Sequence, residues 1–286
     1  MLVVAMVVDL DLSTKFTAAR GRNAGWERLV AEHPELELIQ FVDGDCEVAP
    51  GWIEHAIELM RSEPEVAAVF GFRRERYPER SMYNRMCDVE WRIDESGPAQ
   101  AFGGDVMIRV SALKSVGGYD PSLIAGEDPE LAMRIREEVG GMLLRVDREM
   151  TIHDADMHRI SQWWSRAERS GHAYAELSHR SLDPDRSSKS AVRRIAIWGL
   201  LAPAAGLALS LPTLGLSTGV FARYPLVALR GARQSQRRGL PMSHGIAWGA
   251  HLALAPFPQL IGVLRFHRNR LLGRTSELIE YKAPNK

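Results

Sequence analysis

The sequence has few of the features that mark disulfide-rich or nucleic-acid-binding proteins. Among its 286 residues, the two cysteines, Cys46 and Cys87, lie far apart and form no C-x-x-C pair, which favours a reducing, cytoplasmic setting. Lys plus Arg and Asp plus Glu both number 36, and this formal net charge of zero argues against a nucleic-acid partner. The apolar residues 1–8 lack a basic n-region and a small-residue cleavage site, so they do not indicate a signal peptide.

Apolar runs alternate with helical patterns in the first part of the chain. Strands are predicted over residues 2–8, 38–42 and 66–70, and helices over residues 16–32 and 50–60. This alternation is typical of an α/β fold with a mostly parallel, Rossmann-like sheet and flanking helices. Ligands of such sheets bind beyond the carboxyl ends of the strands.

The pattern is less regular further along the chain, where residues 73–100 are polar and aromatic without a clear period. After them we predict, in chain order, a strand over residues 103–110, a helix over 127–138, short strands over 142–146 and 149–153, and a helix over 159–177. Residues 183–190, rich in Ser, Asp and Pro, are predicted to be a linker. The linker would separate a domain over residues 1–182 from a helical region over residues 191–286.

Two carboxylates, Asp43 and Asp45, directly follow the strand predicted over residues 38–42. Acidic side chains one residue apart at a strand end can face the same hard cation. Mg²⁺ or Mn²⁺ takes oxygen ligands there and commonly keeps substrate phosphates in its remaining positions, where it neutralises a departing diphosphate. A solvated turn is the alternative interpretation, because acidic residues are common in turns.

Glu127 and Asp128 stand at the start of a predicted helix. An acid in this place either caps the helix and complements its dipole, or acts as a general base that removes a proton from an acceptor hydroxyl. The position alone does not separate these two roles.

His153 stands at the end of the last predicted strand. A neutral imidazole can complete a metal site with two carboxylates, although a single histidine more often has a structural role. Asp154, Asp156 and His158 lie close by and are alternative ligands.

Two segments combine basic with aromatic or amide side chains on predicted helices. Trp163 and Trp164 are adjacent and cannot both face one apolar stripe, so one is predicted to pack inside and the other to line a sugar or acceptor site. Arg166 either meets a diphosphate or extends from an amphipathic helix towards water. Near the N-terminus, a predicted helix start carries Arg20, Arg22 and Asn23. These side chains either bind a phosphate or nucleotide or form a solvated helix face.

The order of these motifs resembles glycosyltransferase family 2, which comprises inverting enzymes with the GT-A fold. Residues 16–25 resemble the R-N-x-G helix of the family, and residues 41–45 resemble its strand followed by the DxD metal motif. Three further stretches, residues 101–105, 116–120 and 126–131, are together similar to the family's acceptor segment, which is shared with the C-terminal regions of galactosyltransferases. The resemblance extends over roughly residues 7–175.

The resemblance implies a metal-dependent, inverting transfer of a sugar from a nucleotide-diphosphate sugar to a hydroxyl of a saccharide or lipid-linked acceptor, in polysaccharide or glycolipid synthesis. Asp128 would be the catalytic base, and Glu127 would position the base or the acceptor. Mn²⁺ or Mg²⁺ would be held by Asp45, with Asp43 and His153. The implied donor-binding residues are Arg20, Arg22, Asn23, Gly104, Asp105 and Arg166, and the implied acceptor-binding residues are Trp163 and Trp164.

One departure from the family concerns the N-terminus. The family usually opens with strand and helix elements that bind the nucleobase and ribose, and no such motif precedes Arg20, so the GT-A domain is expected to be N-terminally incomplete. The alternative function is an inactive, donor-site-deficient pseudoenzyme that acts as a membrane partner of another transferase. A metal-dependent nucleotidyltransferase would share the sheet and the acidic pair, but would not predict the Gly-Glu-Asp segment followed by a Trp-rich helix.

The C-terminal region contains two uncharged stretches, residues 195–222 and 240–264, that are long enough to cross a bilayer and are interrupted by Pro and Gly. Arginines flank both stretches and fill the segment between them. Because positive residues favour the cytoplasmic side, two full spans would place the middle basic segment outside, whereas re-entrant or interfacial hairpins keep all basic clusters at the cytoplasmic surface. We predict association with the inner, cytoplasmic membrane and a catalytic domain that faces the cytoplasm; buried core segments are the alternative.

Overall fold

The computed structural model describes residues 4–10, 13, 16–180 and 187–274. The chain divides into two compact units that do not follow chain order: Met1–Arg74 with Glu95–His153, and Glu75–Asp94 with Asp154–Lys286. Residues 183–186 of the predicted linker lie outside the described residues, and a helix already begins at Ser187. The short segment 75–94 therefore belongs to the same unit as the C-terminal region.

The described residues contain eleven α-helices and six strands. The strands are β1 (Leu38–Phe41), β2 (Cys46–Val48), β3 (Val66–Glu75), β4 (Gly97–Pro98), β5 (Val106–Arg109) and β6 (Met142–His153). The helices are α1 (Ala18–Glu32), α2 (Trp52–Ser62), α3 (Met82–Arg92), α4 (Val110–Val116), α5 (Glu127–Glu138), α6 (Ile160–His179), α7 (Ser187–Ala196), α8 (Ala202–Ala208), α9 (Arg223–Arg237), α10 (Met242–Leu254) and α11 (Pro256–Leu271). A π-helical turn, Ile197–Leu201, joins α7 to α8.

The strands form one mixed sheet in the order β1-β5-β3-β6-β2, with β4 paired to β6. β5 is antiparallel to both β1 and β3, and β6 is antiparallel to β2 and β4. The prediction of a mostly parallel sheet is therefore wrong. Among the neighbouring strands described, only β3 and β6 are parallel, since the Met142 N–H donates to the Glu65 carbonyl at their starts and Arg148 lies beside Gly71 further along.

The predicted strand over residues 2–8 is also wrong for the residues that are described. Residues 4–10 form no regular element, and Val7 is 94% exposed. An apolar run becomes a strand only when a neighbouring strand accepts its hydrogen bonds, and no described strand pairs with this segment. The strands predicted over 142–146 and 149–153 are instead one continuous strand, β6.

The helices of the first unit begin where local chemistry favours them. The hydroxyl of Thr17 accepts the N–H of Arg20 and caps α1, and left-handed glycines precede α2 and α5. The hydrophobic core lies on the sheet, and its largest fully buried side chains are Trp52, Tyr119, Met60, Ile108, Leu113, Leu131, Ile135, Leu143 and Met150. This core fixes the strand ends from which the polar side chains described below extend.

The second unit consists of helices that approach one another closely at glycines. A Cβ at Gly262 of α11 would collide with the carbonyl oxygen of Glu168 on α6, and one at Gly171 of α6 would collide with that of Gln259 on α11. Gly249 of α10 faces the carbonyl of Ala228 on α9 in the same way. The helix α3, which the sequence pattern did not predict, packs in this unit in a core with Trp163, Leu240 and Trp248.

Two helical segments of the second unit are apolar and long. Ser187–Ala208 is long and apolar enough to cross a membrane by length and composition. The pair Met242–Leu254 and Pro256–Leu271 passes the same test together, but is bent by 42° at its break. These segments overlap the uncharged stretches predicted over residues 195–222 and 240–264.

We expect Gly71→Ala to lower the free energy of unfolding by about 1–3 kcal/mol, because the added methyl would collide with the carbonyl oxygen of Arg148 on the neighbouring strand. Gly25→Ala is the matched control. Gly25 lies within α1 with no other group within 4 Å of a Cβ, so alanine there should stabilise by about 0.5–1 kcal/mol. Chemical denaturation measures both. Equal stability of the two variants would contradict the close strand approach.

Candidate functional site

The candidate site lies where β1, β3 and β6 end and β5 begins. The antiparallel register places Phe41 opposite Val106, so the residues after β1 meet the residues before β5. The backbone N–H of Asp43 donates to Oδ1 of Asp105 at 2.7 Å. The reversed strand, which the sequence pattern did not predict, therefore brings these two acidic residues together.

Arg22 is the cation at the centre of the site. From α1 its guanidinium reaches Oδ1 of Asp43 at 2.7 Å, Oε1 of Glu127 at 2.9 Å and Oδ1 of Asp128 at 3.2 Å. The guanidinium carbon also lies 5.4 Å from the ring centroid of Tyr119. One side chain thus gathers three of the carboxylates that the sequence singled out.

A second guanidinium, that of Arg73, lies at the end of β3 and was missed in the sequence. Its Nη2 donates to Oδ2 of Asp43 at 3.0 Å, and its Nε lies 2.7 Å from Oδ2 of Asp105. The Asp105 side chain is fully buried, and the hydroxyl of Thr151 also donates to it at 2.6 Å. Arg73 lies within β3, three residues beyond the strand predicted over residues 66–70, so the signal that identified Asp43, a charged residue directly after a strand, does not apply to it.

These contacts shift the proton affinities of the site in opposite directions. Burial raises the pKa of the Asp43 carboxyl, but Arg73 and Arg22 outweigh it and hold that pKa below its ordinary value. For Asp128, loss of water dominates over the attraction of Arg22, and the charges of Glu127 and Asp43 add to it, which raises its pKa to about 7. Asp128 thus has the pKa of a general base that works near neutrality.

The residues predicted to hold a metal fall into two groups. Nε2 of His153 lies 3.1 Å from Oδ2 of Asp45, and with Cys46 they offer ligand atoms within 4.8 Å of one another. Asp43 instead groups with Cys46 and Asp105. A carboxylate and an imidazole suit a divalent cation, and Asp45 is 45% exposed and accessible. Asp43 is less suited to be a metal ligand, because both of its carboxylate oxygens already face guanidinium groups.

Two predicted donor-binding residues serve the fold. The side-chain amide of Asn23 donates to the carbonyl of Tyr119 at 2.8 Å and accepts its N–H at 2.9 Å, which holds the turn before α5. A Cβ at Gly104 would collide with Arg22 and Asp43, so glycine is required beside that ion pair. Arg20 lies in the first turn of α1, the helix that also carries Arg22. Donor binding by Arg20, Asn23 and Gly104 stays a prediction.

The remaining predicted site residues belong to the second unit. Trp163 is buried and donates to Nδ1 of His251 at 3.0 Å, whereas Trp164 is 37% exposed, so the two tryptophans differ in burial as expected. Arg166 pairs with Glu90 at 2.7 Å. The roles of these three residues in binding acceptor or donor stay predictions.

The alternative metal ligands near His153 have other contacts. Oδ1 of Asp156 lies 3.0 Å from Nε2 of His158, and Oδ2 of Asp154 lies 3.9 Å from Nη1 of Arg80. All four residues belong to the second unit. In the first unit, His153 is the histidine that lies against Asp45.

The comparison with known families confirms the resemblance stated for the motifs. Residues 7–116 match the family described as glycosyl transferase family 2. The match includes Arg22, Asp43, Asp45, Arg73 and Asp105, and it ends before Asp128 and His153. No curated protein matches the chain.

We expect Arg73→Gln to destabilise the protein by about 3–5 kcal/mol, because it leaves the fully buried Asp105 carboxylate without its cation. Arg74→Gln is the matched control on the adjacent residue. Arg74 pairs with Glu149 at a site where both side chains are about one-third exposed, so its loss should cost less than about 1 kcal/mol. Urea unfolding of both variants is the measurement, and equal losses would show that the Arg73 contact is no stronger than a surface ion pair.

Proposed function

We propose that the chain is a metal-dependent, inverting glycosyltransferase that moves a sugar from a nucleotide-diphosphate sugar to a hydroxyl acceptor. The family match supports glycosyl transfer. The observation that carries the finer proposal is the cluster around Arg22, in which Asp128 has a pKa raised to about 7 within the same network as the DxD carboxylate Asp43. A base poised near neutrality beside a DxD segment suits single-displacement transfer.

In the proposed reaction, the Asp128 carboxylate accepts the proton of the acceptor hydroxyl while that oxygen attacks the anomeric carbon. The bond from the anomeric carbon to the diphosphate oxygen breaks on the opposite face, so the configuration inverts and the nucleoside diphosphate leaves. Glu127 shares Nη1 of Arg22 with Asp128 and thereby holds the guanidinium against the base. The buried hydroxyl of Tyr119 has no hydrogen-bond partner among the described residues.

Asp45 and His153 are the residues that we propose to hold Mn²⁺ or Mg²⁺. A divalent cation bound there would supply charge neutralisation for the departing diphosphate. Arg22 and Arg73 add fixed positive charge to the same end of the sheet, and such preorganised charge stabilises a leaving group without reorganisation. Asp43 would act by fixing these two guanidinium groups.

We also propose that the second unit associates with the cytoplasmic face of a membrane, which suits a lipid-linked or membrane-extruded acceptor and a role in polysaccharide or glycolipid synthesis. The apolar segment Ser187–Ala208 and the bent pair of α10 and α11 support this proposal. So do exposed leucines at the end of that segment and directly after it, which include Leu207, Leu211, Leu214 and Leu216. A bent pair of apolar helices is compatible with a re-entrant segment.

A donor-site-deficient pseudoenzyme is the second candidate. The observation that favours it is the commitment of both Asp43 oxygens to Arg22 and Arg73, together with the absence of a strand from residues 4–10. Such a protein would keep the fold and the membrane surface, but would bind no nucleotide. Nucleotide binding therefore separates the two candidates.

We expect transfer activity to depend on pH through Asp128. Its folded-state pKa is raised to about 7, so below that pH the base carries a proton and kcat/KM should fall about tenfold per pH unit; above it, kcat/KM should level off. Asp128→Asn should reduce kcat by about 10²–10⁴-fold and abolish this acid limb. A pH profile of sugar transfer measures both effects. Retention of the acid limb in the variant would assign the proton to another group.

The metal site is tested by isothermal titration of the protein with UDP, with and without Mn²⁺. Binding of UDP by wild type should require Mn²⁺. Asp45→Ala removes one of the two proposed metal ligands, so the variant should bind UDP weakly, and Mn²⁺ should no longer increase its affinity. Asp156→Asn, which removes an acid three residues after His153 in the sequence that pairs with His158, is the control and should bind as wild type does. GDP and dTDP are titrated in parallel. Absence of binding for all three nucleotides would favour the pseudoenzyme.

A further inference from the structure

A groove of about 310 Å³ lies in the second unit between the π-helical turn after α7 and the first turns of α9. It is distinct from the residues used in the proposed reaction. Its walls combine apolar side chains with two arginines, and they include Trp198, Val220, Leu226, Val227, Arg223 and Arg230.

The groove carries positive charge without a matching negative charge. Residues 187–274 contain Lys189 and eleven arginines but no aspartate or glutamate. In the part of the chain that the structure describes, Arg194, Arg223 and Arg230 form no ion pair. Burial lowers the pKa of Arg223, Tyr224 opposes this, and the positive charges of Arg194 and Arg230 lower it further, so Arg223 lies close enough to both arginines to be repelled by them. An anion bound among them would relieve this repulsion.

The geometry of the groove is held in place by its neighbours. The guanidinium carbon of Arg223 lies 4.0 Å from the ring centroid of Trp198, and the hydroxyl of Tyr224 donates to the carbonyl of Trp198 at 2.7 Å. The Tyr224 ring also stacks on Phe257 at a centroid distance of 5.7 Å. These contacts fix Arg223 beside an aromatic face, an arrangement that orients its remaining N–H donors for an anion.

The surface around the groove is apolar. Leu226 and Leu229 of α9 are about half exposed, and Leu200 and Leu201 of the π-helical turn are similarly exposed. An anion that is free in water would gain nothing from such surroundings, whereas the headgroup of a lipid would bring acyl chains to cover them. Charge and apolar surface together therefore favour an amphiphilic anion.

We propose that this groove binds the phosphate headgroup of an anionic phospholipid at the membrane surface, with Arg223 and Arg230 as the phosphate ligands and Trp198 as the aromatic wall. This inference rests on the proposed membrane association, but not on transferase activity. It makes the second unit selective for anionic over neutral membranes.

The test uses the full chain and flotation with two kinds of vesicle, pure phosphatidylcholine and a mixture with phosphatidylglycerol. Wild type should bind both and prefer the anionic vesicles. Arg223→Gln combined with Arg230→Gln should lose at least about 25-fold in affinity for the anionic vesicles, since each basic residue at such a surface contributes about fivefold. Binding to the neutral vesicles should not change.

The matched control is Arg233→Gln combined with Arg237→Gln, which removes two exposed arginines from the same helix outside the groove. It should lose less than about fivefold. Arg223→Lys combined with Arg230→Lys keeps the charge and should retain most of the preference, and circular dichroism checks that all variants fold. Equal losses in the groove variant and the control would overturn the proposal in favour of a diffuse basic surface.

Two further outcomes separate this inference from its premises. Excess inorganic phosphate at constant ionic strength should not displace the protein from anionic vesicles, and displacement would overturn the lipid as the source of the phosphate. Failure of wild type to bind any vesicle would overturn both the groove and the membrane association. UDP binding in the same preparation reports separately on the transferase.

Discussion

The ion pairs of Arg22 hold the first unit's polar site together. One guanidinium joins a helix, the turn after a strand and the start of a second helix through Asp43, Glu127 and Asp128. Arg73 extends the network to a fully buried fourth carboxylate, so two positive charges face four acids. Two cations cannot neutralise four carboxylates in a poorly solvated place, and one acid must keep its proton up to near neutral pH. Asp128 is that acid, because its own burial is the largest cause of its raised pKa and the charges of Glu127 and Asp43 add to it.

The sequence predicted the positions of the main elements of the first unit better than their directions. The strands β1 and β3 and the helices α1, α2 and α5 lie close to where apolar periodicity placed them. Periodicity contains no information about strand direction, however, and the reversal of β5 between β1 and β3 depends on long-range pairing. The apolar N-terminal run failed as a strand for a related reason, since burial on both faces requires neighbours that a local pattern cannot supply.

The acidic residues of the candidate site were predictable from their places at a strand end and a helix start. The arginines that pair with them were less predictable. Asp43, Glu127 and Asp128 were recognised, but no sequence pattern indicated that Arg22 would bind all three. A metal site is recognised from acidic residues and histidine, and Arg73 belongs to neither class. The separation of Asp43 from the pair of Asp45 and His153 follows from the register of β2 against β6, where Cys46 lies opposite His153, and no spacing rule contains that register.

The second unit shows why apolar segments that pack at glycines leave their leucines exposed. Its helices meet where glycines let backbones approach, as α6 does with α11 and α9 with α10. Contacts of this kind derive their stability from close packing and bury few large apolar side chains. The leucines of residues 200–229 therefore remain at the surface, although a water-soluble domain would bury many of them. Arg194, Arg223 and Arg230, which form no ion pair with any residue that the structure describes, lie in the same region, and both properties have the same explanation if its neighbour is an anionic lipid layer.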